Sequence, residues 1–392
     1  MKAGHWVKVG CLVAWLAVGP QAWANGPWLV PGNDQAVVEV LPKATRWRPA
    51  PTAASALAPA PAALPLAQAM GLARAEIASA RETGDPRHWG RARAVLAPWW
   101  DKPGAPVQAR VLQATVLQGQ HAFGAAEAVL VQVVQQDPRQ AQAWLTLATL
   151  HKLGGRYPLA MQACERLLAL GQPWHAQTCL AEARSLAGQT VDPAAWQQLA
   201  RSAPDDGSAA WLRSLWGEHL ERAGQDHQAA DQYRQSLALA PDTYTALASA
   251  DLWLRLKHPQ RAWDVLRKHP DTDGVLLRRA RALRDLKQPA WRDLADTLAA
   301  RAQASAERGD DTTLHAREQA LRAWWLQDDP VRAAEWARTN LALQKEPIDW
   351  WLALATHRLA GQPEPFGRLK AEAQRSAPAD QRLTRELRHA PV

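Results

Sequence analysis

Isoleucine occurs twice in these 392 residues, at Ile77 and Ile348, and phenylalanine twice, at Phe123 and Phe366. Strands draw on β-branched and aromatic residues. Their scarcity, against a background rich in Ala, Leu and Arg, argues against sheet and for an all-helical chain. Lysine is also sparse. The formal charge is +8, but the arginines are dispersed among acids and form no basic block. Such a balance describes a solvated surface, and no nucleic-acid partner is expected. Catalytic and metal grammar is missing as well. There is no HExxH, no GxSxG and no phosphate cradle, since "HKLGGRY" (151–157) is a turn between helices. No Cys or His cluster has ligand spacing, His219 and His227 being eight residues apart. In "ERGDDTT" (307–313), a helix cap at Asp311 or Thr312 explains Asp310 and Asp311 more economically than a bound cation. The expectation is a protein with no catalytic residue, no metal and no cofactor.

Long apolar runs are missing too. The run from Val9 to Val18 is about half of what spans a bilayer. It follows Lys2 and Lys8 and precedes Ala22-Trp23-Ala24, the order of charged start, short apolar stretch and small-x-small site that marks a cleavable export signal. Residues 1–24 are therefore read as a signal peptide cut after Ala24. The mature chain is expected to be periplasmic or secreted, without stable membrane insertion. Cys11 lacks the preceding apolar stretch of a lipid-anchoring site. A mature N-terminal segment (25–48) follows, with Val37, Val38, Val40 and Leu41 able to dock as a short strand or helix. Residues 49–65 form a Pro/Ala-rich linker with no face to bury.

What the sequence has is repetition. In "AWLTLATLHKLGGRYPLA" (143–160), Tyr157 precedes Ala160 by three residues, as Phe123 precedes Ala126 one period of 34 earlier. Gly217, Gly224, Ala229, Tyr233 and Pro241 repeat the grammar, and "WLALA" (351–355) repeats "WLTLA" (144–148). Small residues such as Ala148 and Ala160 suit the close crossing of two helices. Gly155 suits the reversal between them. Trp144, Leu147 and Tyr157 fill the space between units, and Pro138 and Pro241 stop one helix before the next.

These residues resemble the tetratricopeptide repeat, a helix-turn-helix unit of 34 residues. Units are expected near 107, 141, 175, 210 and 244, with room for three between 244 and 348 and a last near 348. An earlier pair starts at 66. The resemblance implies an all-α, right-handed superhelical solenoid of about nine antiparallel helix pairs over 66–376, followed by a C-terminal tail (377–392). It also implies a concave groove, lined mainly by first helices, that binds peptides or proteins without catalysis.

In this family the second, fifth, ninth, twelfth and thirteenth positions of a unit tend to face the groove. Carried over, they give Gln142, Leu145, Thr149, Lys152 and Leu153 in the 141 unit. They give Trp211, Ser214, Glu218, Glu221 and Arg222 in the 210 unit, and Thr245, Leu252 and Arg255 in the 244 unit. Trp211 beside Glu218, Glu221 and Arg222 is the most ligand-like set, an aromatic platform next to charges. The competing reading makes those charges i, i+4 pairs on a solvated face. The Lys/Asn clamp that some relatives use for a C-terminal carboxylate is absent, because the fifth positions are Val111, Leu145 and Ser214. The 21 tryptophans admit a glycan-stacking role, but most occupy inter-helix packing positions.

Removal of the leader leaves Cys164 and Cys179, placed on adjacent antiparallel helices. In an oxidising compartment they are either a bridge or two buried thiols. The function these observations point to is a non-catalytic periplasmic scaffold for a peptide or protein partner. The alternative is an envelope polymer export or assembly component that contacts polysaccharide or peptidoglycan directly.

Overall fold

Prolines open many of the helices. Pro173, Pro193, Pro259, Pro330 and Pro347 each stand in the first turn of one, where the missing N–H costs nothing. The computed structural model describes residues 64–376 and 379–389. The proposed leader, the 25–48 segment and the linker up to residue 63 lie outside that range.

Nine helix pairs follow one another among the described residues. They are α1 (Leu66–Thr83) with α2 (Arg87–Leu96), α3 (Val107–Gly119) with α4 (Phe123–Gln136), and α5 (Ala141–Leu153) with α6 (Tyr157–Ala169). Next come α7 (Pro173–Leu186) with α8 (Pro193–Arg201), α9 (Asp206–Arg222) with α10 (Asp226–Leu239), and α11 (Thr243–Arg255) with α12 (Pro259–Leu266). The last are α13 (Asp273–Asp285) with α14 (Trp291–Glu307), α15 (Ala316–Gln327) with α16 (Pro330–Leu343), and α17 (Pro347–Leu359) with α18 (Pro363–Ser376). Consecutive helices pack on each other along the chain, and no strand occurs among the described residues. The first helices begin within a few residues of the expected unit starts.

The close crossings fall at the small residues. Ala148 and Ala160 are fully buried, as are Ala143 and Cys164 on the same pair of helices. In the α9–α10 pair, a Cβ on Gly217 would lie 2.6 Å from the Tyr233 ring, so only glycine admits that fully buried tyrosine. Trp196 and Trp350 are also fully buried, and Trp325 nearly so. These rings pack between helices, as expected from their positions. The Cys164 and Cys179 sulfurs are bonded, with the Cα atoms 5.6 Å apart, which ties α6 to α7.

The segment read as a C-terminal tail contains a further helix, α19 (Gln381–Leu387), and this corrects the expectation. Asp380 caps it by accepting from the Arg382 N–H at 2.7 Å. Leu383 is buried, Arg358 donates to Glu386, and Arg382 reaches Glu221 of α9 at 2.8 Å. The helix is too short for a periodic pattern to reveal it. Its apolar and charged residues make sense only against α17 and α9.

Late units also return to early ones. The Lys345 N–H donates to the Leu153 carbonyl at 2.7 Å, and His121 Nδ1 lies 2.5 Å from the Leu314 carbonyl. The array therefore coils until its seventh to ninth pairs face its second and third.

Candidate functional site

A groove of about 840 Å³ lies on the faces of the first helices, with lining residues drawn from α1 through to the start of α17. Gln142, Thr149, Lys152, Trp211, Glu218 and Arg222 line it, and so do Leu145, Leu153, Ser214 and Thr245. Glu221, Arg255 and Leu252 do not. Leu252 is fully buried in the core. Glu221 accepts from Tyr233 Oη at 3.0 Å, from Arg255 at 3.2 Å and from Arg382 at 2.8 Å, and Arg255 also binds Asp226 at 2.7 Å. The twelfth positions of the 210 and 244 units thus serve the docking of α19 and the α9–α11 contact.

Polar residues on neighbouring first helices tie the units together at separations near one repeat. Lys152 pairs with Glu182, and Arg222 donates to Ser185 Oγ at 2.9 Å. Thr245 Oγ1 lies 3.0 Å from Ser214 Oγ, and Arg278 binds Asp251 at 2.9 Å. Lys152 and Arg222 are buried, so both are largely committed to the fold. Ser185 Oγ also stands 2.7 Å from His219 Nδ1, the nucleophile–base contact of acyl transfer. However, Ser185 is buried, Arg222 occupies the same oxygen, and no hydrogen bond to a carboxylate among the described residues orients the imidazole. Burial, helped by Arg222, pushes His219 down to about 4, so the ring stays neutral. The three residues form an inter-unit tie.

Several groove residues have no counterpart among those expected from the sequence. Tyr244, 58 % exposed, donates its Oη proton to Glu218 Oε1 at 2.6 Å. Burial pushes Glu218 up to about 7, against the pull of Arg222, whose guanidinium is 3.8 Å away. On the opposite side of the sequence, Arg317 grips Asp349 at 2.7 Å, Gln344 at 2.6 Å and Glu346 at 2.5 Å. Asn340 supports Asp349 at 2.7 Å, and the Glu346 N–H donates to Asp349 at 2.9 Å to fix the start of α17. Glu318 lies beside this cluster in the lining. Tyr244 occupies the first position of its unit, which the family's pattern leaves out of the groove. Arg317 and Glu318 belong to a unit whose register the sequence grammar leaves open.

Among the described residues no group of His, Cys, Asp and Glu has a metal-holding arrangement. Asp311 caps the turn at Thr312–His315 by accepting from the Thr313 N–H at 3.0 Å, and Asp310 pairs with Arg308 at 2.7 Å. No described helix is long and apolar enough to cross a membrane.

The fold and groove define a class: a tetratricopeptide-like helical solenoid. No family model matches the chain, and no curated protein matches it in sequence. Among solved structures the chain is similar to a human IFIT1 dimer with m7Gppp-AAAA, at 11% identity and TM-score 0.42, over 73% of this chain and 78% of that one. It is similar to yeast Tom70 at 9% identity and TM-score 0.38, over 81% and 80%. It is also similar to a chain of the APC/C hetero-tetramer Cut9–Hcn1 at 14% identity and TM-score 0.39. There it covers 71% of this chain and spans about half the length of that one, 48%. At these identities the likeness concerns the fold alone.

Proposed function

We propose that the chain is a non-catalytic scaffold, exported to the periplasm, that holds an extended segment of a partner protein in its groove. The observation that carries this reading is the lining itself. Gln118, Gln142, Thr149 and Gln344 supply amides and hydroxyls to the lining of this groove of about 840 Å³, and Trp89, Phe123, Trp211 and Tyr244 supply rings. Amides and hydroxyls suit the main chain of a guest, and rings suit its side chains. The leader-like residues 1–24 support export, and the Cys164–Cys179 bridge fits an oxidising compartment.

Photo-crosslinking in the native envelope tests the groove. A benzophenone amino acid at position 149 is expected to capture a discrete protein. The same group at the exposed Leu168 of α6, outside the groove, is expected to capture none. Equal adducts from both positions, or none from 149, count against the proposal. Export is tested by fractionation: the full-length chain and a variant lacking residues 1–24 are expected to separate into periplasm and cytoplasm.

A further inference from the structure

The charges of the groove are not equally available to a guest. Lys152 is held by Glu182 and Arg317 by Glu346, while Arg222 is buried against Ser185. An anionic guest at Lys152 or Arg317 would have to break these ion pairs, leaving Glu182 or Glu346 without its cation. The remaining lining base, Arg81, is an exposed residue of α1. Apart from Arg81 at the end of α1, the lining charges left without an ion pair of ordinary length are carboxylates. The Glu318 side chain accepts from its own N–H but makes no hydrogen bond or ion pair with another residue among the described residues. Burial pushes it up, but Arg317 and Arg278 outweigh this and hold it below the usual carboxylate range, so it is ionised. Among the described residues, Glu218 has only Tyr244 at hydrogen-bonding distance, with Arg222 at 3.8 Å. An ionised group such as Glu318 without an ion-pair partner in a walled groove is costly, and a cation supplied by a guest relieves that cost; beside Glu218, whose pKa burial raises, the same cation favours the ionised form. The rings of Tyr244 and Trp211 line the same groove, and aromatic rings of this kind attract cations.

We propose that the groove selects a basic peptide segment, whose Arg or Lys side chains are received by Glu218 on α9 and Glu318 on α15. This rests on the groove being the partner site, and it names the chemistry of the partner. Without residues 1–24, which hold Lys2 and Lys8 and no acid, the formal charge falls from +8 to +6 and still sharpens the contrast. The outer surface repels a basic peptide on balance, so attraction to one isolates the groove from non-specific binding.

The test is fluorescence anisotropy on the full chain with three labelled peptides of alternating sequence: alanine–arginine, alanine–glutamine and alanine–glutamate. The arginine probe is expected to bind about tenfold tighter than the glutamine probe, the size of one charge-assisted contact, and the glutamate probe weakest. Glu318→Gln and Glu218→Gln, each checked for an unchanged helical spectrum, are expected to bring arginine-probe affinity towards that of the glutamine probe. Thr149→Trp, which obstructs the groove, is expected to abolish binding of every probe. Equal binding of arginine and glutamine probes, both lost in Thr149→Trp, overturns the charge selection while leaving the groove as the site. Arginine-probe binding that survives Thr149→Trp overturns the groove reading and the charge selection together. Tighter binding of the glutamate probe inverts the proposed chemistry and overturns it as well.

Discussion

Glu218 is the residue where the environment of the groove has the clearest consequence. Facing it are Arg222 from its own helix, Tyr244 from α11, the Lys152–Glu182 pair from α5 and α7, and the Arg317–Glu346 pair from α15 and the approach to α17. Burial pushes its pKa up to about 7. Between the ordinary carboxylate value and about 7, the folded chain holds a proton that the unfolded chain has released. The proton therefore stabilises the fold fully at acid pH, and this stabilisation is lost as pH rises towards 7, amounting to about 3 kcal/mol. Urea unfolding of wild type and Glu218→Gln between pH 5 and 8 is expected to show wild type losing stability relative to the variant as pH rises, with no further loss above about pH 8. A constant difference across the range would contradict the shifted pKa. The groove positions at this scale were partly legible. Gln142, Thr149, Lys152, Trp211, Glu218 and Arg222 follow from the place of each residue in its unit. Glu221 and Arg255 sit at equally good positions, yet they face Arg382 and Asp226, partners that the repeat pattern does not contain.

At the scale of the element, the turn between the two helices of a unit repeats more faithfully than any side chain. The left-handed backbone position there falls at Gly84, His121, Gly155, Gly188, Gly224, Lys257, Lys287, Asp328 and Gly361. A search for glycine finds only five of these nine, which is why the units beginning at α13 and α15 had no register in the sequence. A non-glycine residue in this conformation carries about 1 kcal/mol of strain. Lys287 is exposed, so Lys287→Gly is expected to raise the unfolding free energy by about 0.5–1 kcal/mol. Gly155→Ala, with φ at 71°, is expected to lower it by about 1 kcal/mol. Denaturant midpoints of the two variants check both signs. Movement in the same direction would show that the turn conformation does not govern these units.

At the scale of the whole molecule, α19 and the return of α15–α17 to α5 turn an open stack into a coil that meets itself. Arg382 is the joint. It binds Asp380 at 2.6 Å and Glu221 at 2.8 Å, and both carboxylates are buried. Arg382→Ala leaves Glu221 with Arg255 and Tyr233 alone. The expected result is a loss of about 2–3 kcal/mol in the stability of this joint. It should be seen as faster amide exchange across residues 381–387 with little change in α5 and α6. Unchanged protection of α19 would show that Leu383 and the Arg358–Glu386 pair suffice to hold it.

The sequence by itself determined the helical class, the number and placement of the helix pairs, the small residues at their crossings and the face that became a groove. Those features are local or recur at one fixed period, so each unit carries its own instructions. Only the tertiary structure decided which charges remain available in the groove, that Cys164 reaches Cys179, and that residues 381–387 form a helix against α9. Each of these depends on how far the coil turns per unit. That angle is a sum of small packing differences along the array, and no single repeat encodes it.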